Sequence, residues 1–157
     1  MKTKISIVLL ILFGLACEEE YSPPSIYTQL SPLFLDDHSI GEVYDFDILI
    51  TNRGDEVLKI ERIEVKGDET CAFKFEGPDI NELGKDQYGF IRGFYQPQVQ
   101  GYHQIALHVI SNAEDYPDFI IPVCAIAIPA GSSPPTETLP KCSAPPETQP
   151  DCLQTSE

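Results

Sequence analysis

The chain reads as an all-β protein, an antiparallel β-sandwich of about seven strands, on three observations. Tyr44, Phe46, Ile48 and Ile50 alternate with Asp45, Asp47, Leu49 and Thr51, the period of two that gives a strand one apolar face. Turn residues recur at Asn52-Arg53-Gly54-Asp55, Gly67-Asp68 and Gly77-Pro78, too closely to leave room for long helices. Apolar residues make up 42% of the chain, enough to build a core and too many for wholesale disorder.

The elements follow in order. A first strand near Ile26-Tyr27 is expected at a sheet edge. Tyr44–Thr51 is the alternating strand, and Gly54 in the turn after it is free to take positive φ. Val57, Ile60, Ile63 and Val65 make a β-branched strand, although Leu58–Ile63 passes locally for a helix. Cys71–Phe75 is a short strand, and Tyr88–Tyr95 and Tyr102–Ile110 are longer ones. Gly89 and Gly93 within Tyr88–Tyr95 predict a bulge or a close backbone approach. Phe119–Ile128 closes the domain, with Pro122 predicting an edge position or a bulge, because proline donates nothing to a ladder.

The two ends differ from this body. Met1–Ala16 has the order of a bacterial export signal: Lys2 and Lys4, the apolar run Ile5–Phe13, then Gly14-Leu15-Ala16 before Cys17. The run is shorter than the ~20 apolar residues that a spanning helix wants. Glu18-Glu19-Glu20-Tyr21-Ser22-Pro23-Pro24 is a polar tether. After Ile128, half of the 14 prolines fall in the final segment, which carries a small repeat, PPTETLPKC and PPETQPDC. This tail is expected to be extended and disordered. The resulting division is 1–16 signal, 17–24 acidic tether, 25–128 sandwich and 129–157 proline-rich tail.

The formal charge is −15, and it becomes more negative once Lys2 and Lys4 leave with the signal. Such a chain repels nucleic acid and anionic lipid headgroups and attracts cations or basic proteins. Cys71, Cys124, Cys142 and Cys152 remain if Cys17 is set apart, an even number in an exported chain, so disulfides are expected. Four cysteines allow three connectivities. The expected pairing is Cys71 with Cys124 inside the domain and Cys142 with Cys152 in the tail.

The end of the signal resembles a lipoprotein processing site. The resemblance implies cleavage after Ala16, acylation of Cys17 with palmitate, and anchoring of the chain to a membrane. Glu18 in place of Asp after that cysteine implies, by similarity to Gram-negative sorting, the outer membrane, with the domain facing the periplasm or the cell surface. A second resemblance rests on Ile50-Thr51-Asn52-Arg53-Gly54-Asp55-Glu56-Val57-Leu58 and on Tyr95-Gln96-Pro97 with Gly101, Leu107, Val109, Ser111 and Asn112. These stretches are similar to the Hydin-type immunoglobulin-like domain, related to major-sperm-protein domains and to bacterial choice-of-anchor D repeats. That implies an immunoglobulin-like sandwich and a non-enzymatic scaffold or interaction module, with no catalytic residue to carry over. The motif positions are structural: Asn52, Gly54 and Asp55 form a turn, Tyr95 buries, Pro97 ends pairing, and Gly101 permits the reversal.

Candidate chemistry is sparse. His103 and His108 lie an odd number of positions apart on one strand and face opposite ways. His38 stands beside Asp36-Asp37, an arrangement found in solvated loops. No Gly-x-Ser-x-Gly elbow occurs. Among the acidic clusters, Glu114, Asp115 and Asp118 offer the best hard-oxygen set for Ca²⁺. No enzyme activity and no cofactor are expected. The leading expectation is an envelope module that presents a surface to another envelope or extracellular protein, with no nucleic-acid partner. The alternative is a ligand-binding module for calcium or a basic peptide, held by acidic loops.

Overall fold

The computed structural model describes residues 21–133 and 140–146. The signal, Cys17, most of the proline-rich repeat and Cys152 lie outside the described residues. Nine strands are present among those described: β1 (Ile26–Tyr27), β2 (Leu33–Ser39), β3 (Tyr44–Asn52), β4 (Leu58–Lys66), β5 (Phe73–Phe75), β6 (Glu82–Leu83), β7 (Tyr88–Tyr95), β8 (Gly101–Ser111) and β9 (Asp118–Ile128). They form a four-stranded sheet, β1-β3-β7-β5, packed on a five-stranded sheet, β2-β9-β8-β4-β6.

The alternation in β3 places Ile48 and Ile50 in the core, where they meet Ile91 and Tyr95 of β7. The facing sheet contributes Leu58 and Ile60 from β4, Ile105, Leu107 and Val109 from β8, and Ile121 and Val123 from β9. These side chains are almost wholly removed from water. At roughly 1.5–3 kcal/mol for each large apolar side chain buried, they are the main source of stability. The span Leu58–Ile63, helix-like in isolation, is strand, because its apolar positions must meet β8.

Two strands escape the sequence reading. Glu82–Leu83 is only two residues long. Leu33–Ser39 contains Asp36, Asp37 and His38, which read as a loop but lie on β2, where a register shift between Leu35 and Asp37 interrupts an edge strand. β2 runs parallel to β9, so the sandwich is not wholly antiparallel. The chain reaches β2 from β1 through a cis Ser31–Pro32 peptide, changing sheets as it does so.

Three further expectations need correction. β9 is not a free edge along its length: Val123–Ile128 lies between β2 and β8, and only the stretch through Pro122 lacks a partner on the β2 side. Pro122 thus occupies the last position before the second ladder begins. Of the two alternatives expected for β7, the bulge is absent, since Tyr44 to Thr51 pair without a register shift with Tyr95 to Tyr88. The close backbone approach holds at Gly89, where a Cβ would stand 3.3 Å from the Ile80 carbonyl oxygen. Gly93 instead makes room for a ring, as a Cβ there would stand 2.3 Å from Phe46 Cζ. Gly54 is absent from the residues with positive φ, and its requirement is the close passage of Pro23.

The cysteine pairing also differs. Cys124 bonds Cys142, 18 residues on, and Cys71 is likewise disulfide-bonded. Neither Cys71–Cys124 nor Cys142–Cys152 forms. The cause is strand parity. Val123 and Ala125 face the core, so Cys124 between them points to the outer face of the five-stranded sheet. There it meets Cys142 of the tail, whose sulfur also lies 3.6 Å from the Leu33 carbonyl.

Candidate functional site

The residues of the turn motif are used to lock the fold. Asn52, at the end of β3, is fully buried, and its amide is saturated. Its nitrogen donates to the carbonyls of Glu56 at 2.7 Å and Leu83 at 2.9 Å. Its oxygen accepts from the backbone N–H of Ser25 at 3.2 Å and Gly54 at 2.9 Å. One side chain thereby ties β3, the following turn, β6 and the segment before β1.

That segment is itself clasped. Ser22 donates from both N and Oγ to Asp55 Oδ2, and its carbonyl accepts from Asp55 and Glu56. The Lys85 ammonium, together with Ser22, holds the Asp55 carboxyl well below the usual carboxylate range. Residues expected to belong to a polar tether are therefore bonded, from Ser22 onward, to the folded body. At the opposite end of the β3–β4 turn, Asn112 accepts from Lys59 N at 2.6 Å and donates to the Val57 carbonyl. Ser111 Oγ accepts from Ala113 N. Pro97 ends β7, its carbonyl accepting from Gly41 N, and Gly101 adopts φ 141° at the reversal into β8.

Each histidine has a neighbour that explains it. His38 stacks on Tyr44, ring centroids 3.8 Å apart. His108 faces outward and lies 2.9 Å from Asp118 Oδ1. His103 faces the core, where the Tyr95 hydroxyl lies 2.9 Å from its Nδ1. It also bonds the Val99 backbone. Burial lowers the pKa of both His103 and His38, against the opposing pull of nearby aspartates. A histidine whose folded pKa lies below its unfolded value binds fewer protons when folded. The two histidines therefore leave stability intact above the unfolded pKa of about 6.5 and erode it as the pH falls from there. We expect Tm to drop between pH 7 and pH 5.5, and a His103→Asn variant to show a shallower slope. Parallel melting curves for the two proteins would rule out His103 as a source of the acid sensitivity.

The calcium candidates do not converge on a shared point. Asp118 is turned to His108, and Asp115 accepts from Ser25 Oγ and Tyr116 N. No group of three or more metal-ligating side chains occurs among the described residues.

What the sequence reading missed is a surface. The outer side of the four-stranded sheet carries Tyr88, Phe90, Arg92 and Phe94 of β7, with Thr51, Leu49, Asp47 and Asp45 of β3 opposite them. Tyr88 is 58% exposed and Phe90 39%, and their rings meet edge to face at 5.7 Å. Beside them Arg53 lies over the Tyr27 ring, 3.3 Å from its centroid. The signal was present in the sequence: in Tyr88–Tyr95 both faces carry aromatic side chains, with Arg92 the one charged residue, whereas a strand with one solvated face is mostly polar on it.

Comparison with known proteins bears on the fold. No family model and no curated protein matches the chain. Solved structures do. A protein of unknown function from Porphyromonas gingivalis W83 superposes with a TM-score of 0.58 at 21% identity, over 68% of this chain and 48% of that one. This chain thus spans about half the length of that protein. The ASH / PapD-like domain 7 of human CEP192 gives 0.52 at 13% identity, over 82% of this chain and 99% of the domain. The secreted serine protease VesC from Vibrio cholerae gives 0.52 at 14% identity, with 67% of this chain matched to 23% of the protease. The match extends over nearly the whole of that PapD-like domain, and with the two packed sheets it shows the fold: the described body is an immunoglobulin-like β-sandwich.

Proposed function

We propose that this protein is a non-enzymatic interaction module of the bacterial cell envelope, anchored through lipid on Cys17 and presenting its sandwich to another envelope or extracellular protein. The observation that carries the reading is how its polar residues are used. Asn52, Asn112, Asp55, His103 and His108 all hold backbone or neighbouring side chains, while aromatic side chains of the four-stranded sheet stand in solvent. A site for chemistry has the opposite arrangement, with polar groups aimed at an open cavity. The export signal, the cysteine at its end and Glu18 support anchoring at the outer membrane.

The test is metabolic labelling. Expressed in a Gram-negative host, the full chain is expected to incorporate labelled palmitate and to sediment with outer-membrane fractions. Cys17→Ala is expected to lose the label and accumulate in unprocessed form. An unlabelled wild-type chain recovered as soluble periplasmic protein would reject the anchor.

A further inference from the structure

We infer that the outer face of the four-stranded sheet is a docking surface for an extended, basic segment of a partner protein, one in which lysine or arginine follows apolar side chains. The inference rests on the reading of the chain as an interaction module and names the surface and the partner chemistry.

The face is laid out in rows. Leu49 and Phe90 stand opposite each other, and one row further along β7 stand Asp47 and Arg92. Beyond β5 the chain stays paired to this edge, Glu76 N donating to the Arg92 carbonyl and Asp79 N to the Phe90 carbonyl. Asp47, Glu76 and Asp79 therefore surround Phe90 and Arg92, lining a hollow of about 250 Å³. That is below the ~300–1,000 Å³ usual for small-molecule sites and suits a single long side chain. The Arg92 guanidinium lies 3.6 Å from Asp47, so one cation is set against three carboxylates.

Aromatic side chains exposed together beside charged groups are the composition of interface anchors with a polar rim. Charge then selects the occupant. With a formal −15, a second copy of this chain and an anionic lipid surface are both repelled, whereas a cationic segment is attracted. A lysine stem lies along the Phe90 ring while its ammonium reaches the carboxylates. Same-face side chains on an extended segment are about 7 Å apart, the spacing between the Phe90 and Arg92 rows. An apolar residue and a lysine two positions later therefore match adjacent rows.

The experiment measures fluorescence anisotropy of a labelled dodecapeptide, Val-Val-Lys-Lys repeated three times, against the full chain in nonionic detergent. In extended form each of its faces presents valine and lysine in turn. Binding is expected to weaken at least tenfold with Val-Val-Glu-Glu or Ser-Ser-Lys-Lys repeats, and to fall with added salt. The Tyr88→Ser/Phe90→Ser protein is expected to bind at least tenfold more weakly, and so is Asp47→Asn/Glu76→Gln, whose substitutions are on the surface and leave the core intact. Asp36→Asn/Asp37→Asn, on the other sheet, is expected to bind as the parent does. No binding, equal loss in the Asp36/Asp37 control, or self-association abolished by Tyr88→Ser/Phe90→Ser would each overturn the inference. Such a failure with palmitate labelling intact leaves the envelope module standing. A chain that binds the peptide but takes no lipid rejects the anchor and keeps the surface.

Discussion

An Asn52→Ala protein is expected to lose about 4 kcal/mol of stability, lowering Tm by on the order of 20 °C for a domain of this size. The cause is not the few atoms removed but the four backbone groups left behind. The N–H groups of Ser25 and Gly54 and the carbonyls of Glu56 and Leu83 all bond to this amide, which is wholly buried. Each buried polar group left without a partner costs about 1–3 kcal/mol, and partial relaxation of the turn recovers some of the sum. Asn112→Ala, which removes two similar bonds at an exposed position, is expected to cost about 1 kcal/mol. Urea unfolding followed by circular dichroism measures both. A Tm drop of under about 5 °C for Asn52→Ala would show that water replaces the amide and that the motif is not the lock described.

Gly54→Ala is the second large effect, expected at about 3 kcal/mol. A Cβ at this position would stand 1.9 Å from the Pro23 carbonyl oxygen and 2.7 Å from its carbon. The obstacle is backbone, so no rotamer change relieves it. Either the turn moves, disturbing the bonds of Asn52, or the segment around Pro23 lifts away and the Ser22 bonds to Asp55 and Glu56 break. Limited proteolysis separates the two, because Tyr21 is already exposed and a lifted segment, freed of the Ser22 bonds, can enter a protease cleft while the sandwich survives. Gly41→Ala is the comparison. Gly41 has φ 85° with nothing within 4 Å of its Cβ, so only backbone strain of about 1–2 kcal/mol is expected. Equal losses at the two glycines would count against the close passage of Pro23 as the cause.

The sandwich was legible because its long strands state their periodicity outright. β3, β8 and β9 each commit one set of alternate residues to the core. β2 was not legible, since Asp36 and Asp37 fall where a register shift already interrupts the ladder. Their polarity records an exposed edge and not a loop. The disulfide was hidden for a different reason. Sequence separation says nothing of which face a strand cysteine occupies, and only the parity of Cys124 against the core residues beside it excludes Cys71. Among the site residues, the turn motif identified Asn52 and Gly54 as structural, but it assigned Gly54 to backbone dihedrals when the need is space for a neighbouring chain. The aromatic face was overlooked because Tyr88 and Phe90 read as core-type residues until the partner sheet is seen to lie on the other side.

The clasp at Ser22 sets a leash length. Under the proposed anchoring, the chain between acylated Cys17 and docked Ser22 comprises five Cα steps, a reach of about 17 Å when fully extended. The sandwich would then ride close against the headgroups instead of sampling a wide volume above them. Any partner it meets must come to the membrane surface, with the exit point beside the β3–β4 turn as the pivot. Lengthening the leash by inserting residues before Ser22 would change that reach without touching the fold.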